Sequence, residues 1–150
     1  MSVAIEQLKD ELEGMELPGS FLEVSILESH AVDEVVRAGQ HDSAIAHPIW
    51  CVIASLRGMG ISVERLGDLA REESGDVLLF GDVEVVQELP LIVGSTISVT
   101  AGITKVDRRL TREGHALDSV IVVNRLLSDD GVTLGTVTCT YLFKRGAGSS

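Results

Sequence analysis

The spacing of apolar residues changes from a helical period to a strand period near the middle of the chain. In the N-terminal stretch 3–15, apolar residues recur at helical spacing between charged ones: Ile5, Leu8, Leu12 and Met15. This spacing predicts a short amphipathic helix. After Asp76 the apolar residues alternate with polar ones at a period of two, as in β-strands. The pattern therefore predicts an antiparallel meander of about four strands in the second half.

The strands of the second half have one apolar face and one face rich in Thr and Ser. The alternation is clearest in residues 82–85, 96–103 and 136–143, and the run "LDSVIVVNRLL" lies between the turns "TREGH" and "SDDG". A sheet with one apolar face needs a cover on that side. The first half of the chain has to supply it.

Three segments of the first half follow the N-terminal helix. The sequence "ELPGS" is expected to break the chain, and residues 21–27 are expected to form a strand. Ser29 is then a candidate helix cap, and Gly39 a candidate terminator of the same helix. A charged connection of about 15 residues is expected to precede the sheet.

The cover is predicted to be a helix over about residues 48–58. Pro48 suits a first helical turn, because its φ is fixed and its missing N–H has no intrahelical partner there. Every residue from Ile49 to Leu56 except Ser55 is apolar, on all faces of the helix. Such a helix cannot lie on the surface and is expected to be wrapped.

Composition narrows the class of protein. The chain has 150 residues, of which 45% are hydrophobic, and its formal net charge is −11. We expect one domain over residues 1–145 and a disordered tail over 146–150. The negative charge disfavours nucleic acid and anionic lipid as partners. No apolar run approaches the roughly 20 residues of a membrane span. Both cysteines are expected to be buried thiols in a reducing compartment, so a cytoplasmic location is predicted.

Three segments carry a resemblance to a known family. "IAHPIWCVIASL" resembles the "IAHGM…ASL" stretch that opens the central helix of the MaoC-like (R)-specific enoyl-CoA hydratases and dehydratases. "ELPLIVGSTISVT" is similar to that family's "RPLRxGDTLTVT" segment, and "LLSDDGVTLGTVTCTYLFKR" is similar to its final hairpin. Together the segments span about residues 20–145. The resemblance implies the hot-dog fold, an α+β architecture in which an antiparallel sheet wraps around a central buried helix.

The resemblance also implies an activity. Members of this family add water to, or remove it from, α,β-unsaturated acyl thioesters of coenzyme A or a carrier protein. An Asp and a His five positions apart hold and activate the water, and a backbone N–H at the helix start polarises the thioester carbonyl. Asp42 and His47 have that spacing here, with His41 beside them as a further candidate. No metal and no separate cofactor are implied, since coenzyme A is part of the substrate.

This chain departs from the family pattern at two places. The residues between Asp42 and His47 are "SAIA" where the family has an Asn-Pro pair, so His47 also aligns with the His of "IAHGM". Pro48 stands where the family has the carbonyl-binding Gly, and proline has no N–H to donate. The amide of Ile49 is the candidate substitute. The alternative interpretation makes Asp42 a turn cap and His47 a helix-entry residue satisfied by local hydrogen bonds.

Other residues are candidates for contacts with the substrate. Trp50 either packs in the core or lines an acyl pocket. Arg108 and Arg109 lie in the basic stretch "KVDRRLTREGH", which either pairs with the phosphates of coenzyme A or forms a solvated hairpin tip.

Three functions are consistent with these features. The first is an acyl-thioester hydratase or dehydratase that acts through Asp42 and His47. The second is a catalytically silent hot-dog subunit that binds an acyl group or pairs with an active homologue. The third is a hot-dog thioesterase with Asp42 as base or nucleophile. An exposed sheet edge invites pairing, so we expect a homodimer or a heteromer with another hot-dog chain. The acidic chain favours coenzyme A over an acidic carrier protein.

Overall fold

The computed structural model describes residues 3–36 and 44–146. The helices in these ranges are α1 (Ile5–Leu12), α2 (Ile26–Val35), α3 (Trp50–Gly58) and α4 (Val63–Leu69). The strands are β1 (Glu16–Glu23), β2 (Val77–Gln87), β3 (Thr96–Leu110), β4 (Ala116–Leu127) and β5 (Thr133–Lys144). Within the described ranges, every helix falls short of the length and apolar character needed to cross a membrane.

The strands form one antiparallel sheet in the order β1-β3-β4-β5-β2. The meander prediction is confirmed for β3, β4 and β5, while β2 pairs with β5 and β1 adds a fifth strand from the first half of the chain. Helix α3 contacts all five strands. A sheet whose two edge strands both reach the same helix must curve around it. The predicted α+β fold, a sheet wrapped around α3, is therefore confirmed.

Helix α3 is buried on its sheet side and partly open on its outer side. Trp50, Cys51 and Ala54 are fully buried against the sheet, whereas Ile49 is 39% and Leu56 41% exposed. The helix is wrapped by the sheet as predicted, and its outer face remains partly exposed. A groove lies between this outer face and α2, and Arg57 of α3 pairs with Glu28 of α2 across the surface (2.7 Å).

The first strand and its following helix begin earlier than the sequence predicted. Residues 16–20 do not break the chain but belong to β1, whose register against β3 shifts between Leu17 and Ser20. Gly19 sits in this irregularity at φ +66°, a conformation that favours glycine, and its N–H donates to the Met59 carbonyl (3.1 Å). The chain then turns early enough for Ser25 to cap α2.

The predicted cap of α2 was wrong by one helical turn. Ser25 Oγ accepts the Glu28 N–H (3.0 Å), while Ser29 lies buried inside the helix. The proposed terminator, Gly39, lies outside the described residues. The charged connection contains a helix that the sequence analysis missed, α4, whose cap is Ser62.

Glycine at the end of α3 lets the helix approach β3 closely. A Cβ on residue 58 would lie 2.6 Å from Val99 Cβ, so a methyl group there forces the helix or the strand to move. Gly67 in α4 is a matched contrast, because a Cβ there would meet the carboxylate end of the exposed, flexible side chain of Glu72 (2.6 Å to Oε1).

We therefore expect opposite effects from the same substitution in the two helices. Gly58→Ala is expected to lower the free energy of unfolding by about 1–3 kcal/mol through overpacking. Gly67→Ala is expected to be neutral or to stabilise by up to about 1 kcal/mol through helix propensity. Urea denaturation followed by circular dichroism measures both. A stabilising Gly58→Ala would contradict the close approach.

A buried ion-pair network joins distant parts of the chain at one end of the sheet. Asp118, which is fully buried, accepts hydrogen bonds from Arg108 (2.6 and 2.9 Å) and from Arg145 (2.8 Å). Arg145 also donates to Asp76 Oδ2 (2.9 Å) and to the Ala70 carbonyl (2.7 Å). The network ties the end of β5 to the β3–β4 hairpin and to the segment that precedes β2.

Part of the chain end that was expected to be disordered is described and bonded into this network. The N–H of Gly146 donates to Asp76 Oδ1 (2.9 Å). Residues 147–150 lie outside the described residues.

Asp76 makes the network sensitive to acid. Burial favours a higher pKa for this carboxyl. The N–H groups of Glu73 and Gly146 and the guanidinium of Arg145 outweigh burial and hold the pKa below its usual value of 3.8. Because the pKa is lower in the folded state, the stabilisation is complete well above pH 3.8 and is lost as the pH falls through the folded-state pKa.

Asp76→Asn is therefore expected to weaken the dependence of the free energy of unfolding on pH under acidic conditions. The loss of unfolding free energy between about pH 6 and pH 3 should be smaller in this variant than in the wild type. Asp129→Asn, in the exposed β4–β5 turn, serves as the control and should leave the profile unchanged. Equal acid slopes in the wild type and Asp76→Asn would contradict the assignment.

Candidate active site

The segment that leads into α3 is held beside residues 91–93. Ile45 forms a β-bridge with Ile92, the Ala46 N–H donates to the Leu91 carbonyl (2.8 Å), and the Val93 N–H donates to the Ala44 carbonyl (2.9 Å). These backbone bonds fix the position of the next residue, His47, at the mouth of α3. Residues 91–93 belong to the "ELPLIV" stretch, which the sequence analysis noted without predicting this pairing.

His47 is half-buried and makes one hydrogen bond, through one nitrogen of its ring, with the described residues. Its Nδ1 accepts the N–H of Ile49 (3.1 Å). An imidazole nitrogen that accepts a hydrogen bond carries a lone pair, so the neutral ring has its proton on Nε2. This contact is the local hydrogen bond that the helix-entry interpretation expects, and it leaves Nε2 without a partner among the described residues.

The backbone N–H groups of residues 49–51, at the first turn of α3, are engaged within the chain. Pro48 has none, and the N–H of Ile49 is bound to His47. The N–H of Trp50 donates to the His47 carbonyl (2.9 Å) and that of Cys51 to the Pro48 carbonyl (3.0 Å). The Ile49 amide, the candidate substitute for the missing glycine N–H, is therefore not free in this structure. The positive end of the helix has no unpaired amide in its first turn.

Two cavities flank the segment that carries His47. The first is a groove of about 300 Å³ between α2 and α3. Apart from Glu28 its lining is aliphatic: Ala31, Val32, Val35, Val36, Ile49 and Ile53. The second, of about 360 Å³, is lined by Ile45, Ala46, Pro48 and residues 87–90. The neighbours of His47 thus line both cavities, although among the described residues its own ring lines neither.

Trp50 lies in the core and not in the lining of either cavity. Its side chain is fully buried, and the guanidinium of Arg57 lies 5.7 Å from the ring centroid. The indole Nε1 is buried and has no hydrogen-bond partner among the described residues. The core-packing interpretation of Trp50 matches this placement.

The structure does not bring Arg108 and Arg109 to the mouth of α3. Both lie at the far end of β3, about 40 Å of extended strand away from its beginning. Arg108 is occupied by Asp118 and by the Val3 carbonyl (2.9 Å). The hydrogen bond to Asp118 raises the pKa of Arg108. Arg109 is exposed, as expected for a solvated hairpin.

Asp42 and His41 lie outside the described residues. The structure therefore fixes one member of the predicted pair, His47, and the segment on its C-terminal side. What this arrangement offers chemically is an imidazole whose Nδ1 accepts the Ile49 N–H and whose Nε2 has no partner among the residues described, at the start of a buried helix and near an aliphatic groove.

Comparison with known proteins decides the fold. The sequence matches no protein-family model and no curated protein. A hot-dog-like protein from Thermanaerovibrio acidaminovorans is similar in structure, with a TM-score of 0.66 and 12% identity over 91% of this chain and 86% of that one. The chain has the hot-dog fold.

Two further structural neighbours of this hot-dog chain are dehydratases, and a probable thioesterase from Bartonella henselae is also similar in structure (TM-score 0.56, 10% identity over 86% of this chain and 90% of that one). The HadBC complex of Mycobacterium tuberculosis, a 3R-hydroxyacyl-ACP dehydratase, matches with a TM-score of 0.63 and 17% identity over 95% of this chain and 99% of that chain. A MaoC-like dehydratase from Rhodospirillum rubrum matches with a TM-score of 0.62 and 14% identity over 92% and 97% of the two chains. At these identities the likeness shows the shared fold.

Proposed function

We propose that this hot-dog protein is a hydratase or dehydratase of α,β-unsaturated acyl thioesters, acting through Asp42 and His47. The observation that carries the proposal is the position of His47 at the mouth of the wrapped helix, with Nε2 unpaired among the described residues. The structural likeness to dehydratases supports the same reaction class. The net charge of −11 favours coenzyme A over an acidic carrier protein.

The site geometry suits this reaction. The aliphatic groove between α2 and α3 provides a place for an acyl chain, since acyl sites are concave and mostly apolar. In hydration, the water oxygen bonds to the β-carbon, one water proton passes to a base, and the electron pair of the double bond moves toward the thioester oxygen. A proton added at the α-carbon then completes the product. Asp42 and His47 hold the water and the developing charge.

The test of the proposal is the hydration of crotonyl-CoA by the purified protein, followed by the loss of enoyl absorbance. Turnover is expected in the wild type. Release of free thiol without loss of the double bond would instead favour the thioesterase. Absence of both activities, together with co-purification of a second hot-dog chain, would favour the silent subunit.

We further propose that the chain assembles through the open edge of β2. This strand pairs with β5 on one side, and its other side has no partner strand in the described sheet. Apolar side chains near this edge are partly exposed: Leu79, Phe80, Val85 and Val86. Pairing with a second chain would satisfy the edge and cover these residues. The partner is a second copy or another hot-dog chain.

A charge on β2 is expected to disrupt this assembly. Val85, 38% exposed, faces the helix side of the sheet, and Val85→Lys should shift the dimer to monomer at micromolar concentration in light scattering. Val132→Lys is the control, since Val132 is 48% exposed in the β4–β5 turn and should leave the mass unchanged. A wild-type monomer, or a dimer that tolerates Val85→Lys, would contradict the interface.

A further inference from the structure

We propose that His47 donates a hydrogen bond from Nε2 to the thioester carbonyl and does not itself transfer a proton. The inference rests on the proposed function and specifies the role of one of its two residues. In this arrangement the imidazole replaces the backbone N–H that Pro48 cannot provide.

The first step is that the backbone N–H groups of residues 49–51, at the first turn of α3, are already bonded within the chain. A thioester carbonyl that gains negative charge needs a hydrogen-bond donor, and a donor of this kind is worth about 10²–10³ in rate. The N–H groups of Ile49, Trp50 and Cys51 are all bonded within the segment, and Pro48 has no N–H. Beside this turn, the side chain of His47 offers a donor in its Nε2–H.

The second step is the state of the His47 ring. The bond from the Ile49 N–H occupies the lone pair of Nδ1 and places the proton of the neutral ring on Nε2. Protonation of Nδ1 would break this bond and leave the amide of Ile49 unpaired. The ring therefore keeps a donor on Nε2, the nitrogen that has no partner among the described residues.

The third step is that a ring in this state is unsuited to proton transfer. A general base needs an accessible lone pair, and the lone pair of this imidazole lies on Nδ1 against the backbone. A neutral imidazole that gave up the Nε2 proton would become an imidazolate anion, which is strongly disfavoured. Donation without transfer is the role that remains.

The position of the groove fits this role. Ile49 is both the residue whose N–H holds the ring and part of the groove lining, so an acyl chain in the groove would have its thioester close to the start of α3. Pro48 lines the cavity on the other side. Residues on both sides of His47 thus border space beside the start of α3.

Nuclear magnetic resonance of the protein labelled with ¹⁵N-histidine tests the ring state without any substrate. The Nε2–H tautomer is expected for His47, with the His47→Ala spectrum identifying its signals. Ile49→Pro removes the N–H at a φ of −59° and should allow the proton to move to Nδ1; since a proline disfavours the helical conformation of the residue before it, an unchanged circular dichroism spectrum is the check that α3 stays folded. Ile49→Ala keeps the N–H and should leave the tautomer unchanged. An Nδ1–H tautomer in the wild type would overturn the inference.

Two substitutions of His47 test its role in turnover. Glutamine can donate a hydrogen bond from a similar position but cannot accept and return a proton, whereas alanine can do neither. His47→Gln is expected to retain the hydration rate of crotonyl-CoA to within about tenfold, and His47→Ala to lose about 10²–10³-fold. Equal, severe losses in both variants would overturn the inference and leave the proposed function standing. Absence of turnover in the wild type would overturn both.

Discussion

Replacing Arg145 by methionine is expected to lower the free energy of unfolding by about 3–5 kcal/mol. Arg145 is buried, and its guanidinium binds Asp118, Asp76 and the Ala70 carbonyl. Methionine fills a similar volume, but it leaves Asp118 with Arg108 as its remaining cation and removes the cation that binds Asp76. An uncompensated buried charge is costly because it has lost its hydration.

Chemical denaturation of the variant measures this effect, with Arg109→Met as the control. Arg109 lies in the same hairpin as Arg108 but is exposed, so its replacement should change stability by less than about 0.5 kcal/mol. A double-mutant cycle with Asp118→Asn should show a coupling energy of about 1–3 kcal/mol. A loss below about 1 kcal/mol for Arg145→Met would show that the network does not hold the chain end.

Asp42→Asn is expected to reduce the rate of crotonyl-CoA hydration by about 10²–10⁴-fold. Asparagine keeps the size and part of the hydrogen bonding of the side chain but cannot accept a proton from water. If His47 donates to the carbonyl, as we propose, no other assigned residue can replace this base. The initial rate of loss of enoyl absorbance at saturating substrate measures the effect.

Asp129→Asn is the matched control, because it removes the same charge from an exposed turn. It should leave the rate within about twofold and the far-ultraviolet circular dichroism unchanged. Asp42→Asn should also keep the wild-type spectrum, which would separate a chemical defect from unfolding. An active Asp42→Asn would show that the base lies elsewhere and would contradict the assigned pair.

The sheet and the wrapped helix could be predicted from the sequence because their signals are local. The period-two runs correspond to β2, β3 and β5, and the apolar run after Pro48 corresponds to α3. The boundaries in the first half were less accurate. Ser25 and Ser29 are equally good caps in isolation, and the choice depends on β1, whose edge register is set by the bulge at Gly19. That register is a property of the tertiary structure.

The sequence predicted which residues lie at the site but not the hydrogen bonds between them. The sequence identified His47 and the loss of the glycine amide at Pro48, while the bond from the Ile49 N–H to the imidazole depends on backbone geometry that no motif encodes. In the basic stretch "KVDRRLTREGH", the charges were visible in the sequence but their partners were not. Its charge suggested phosphate binding, but the partner of Arg108 is Asp118, ten residues later on the opposing strand.

The most direct test of the account is a crystal structure of the protein with butyryl-CoA, a saturated thioester that cannot be hydrated. We expect the thioester carbonyl oxygen within about 3.2 Å of His47 Nε2 and the acyl chain in the groove between α2 and α3. A thioester bound away from the start of α3, or a carbonyl held by a backbone amide while Nε2 points elsewhere, would contradict it.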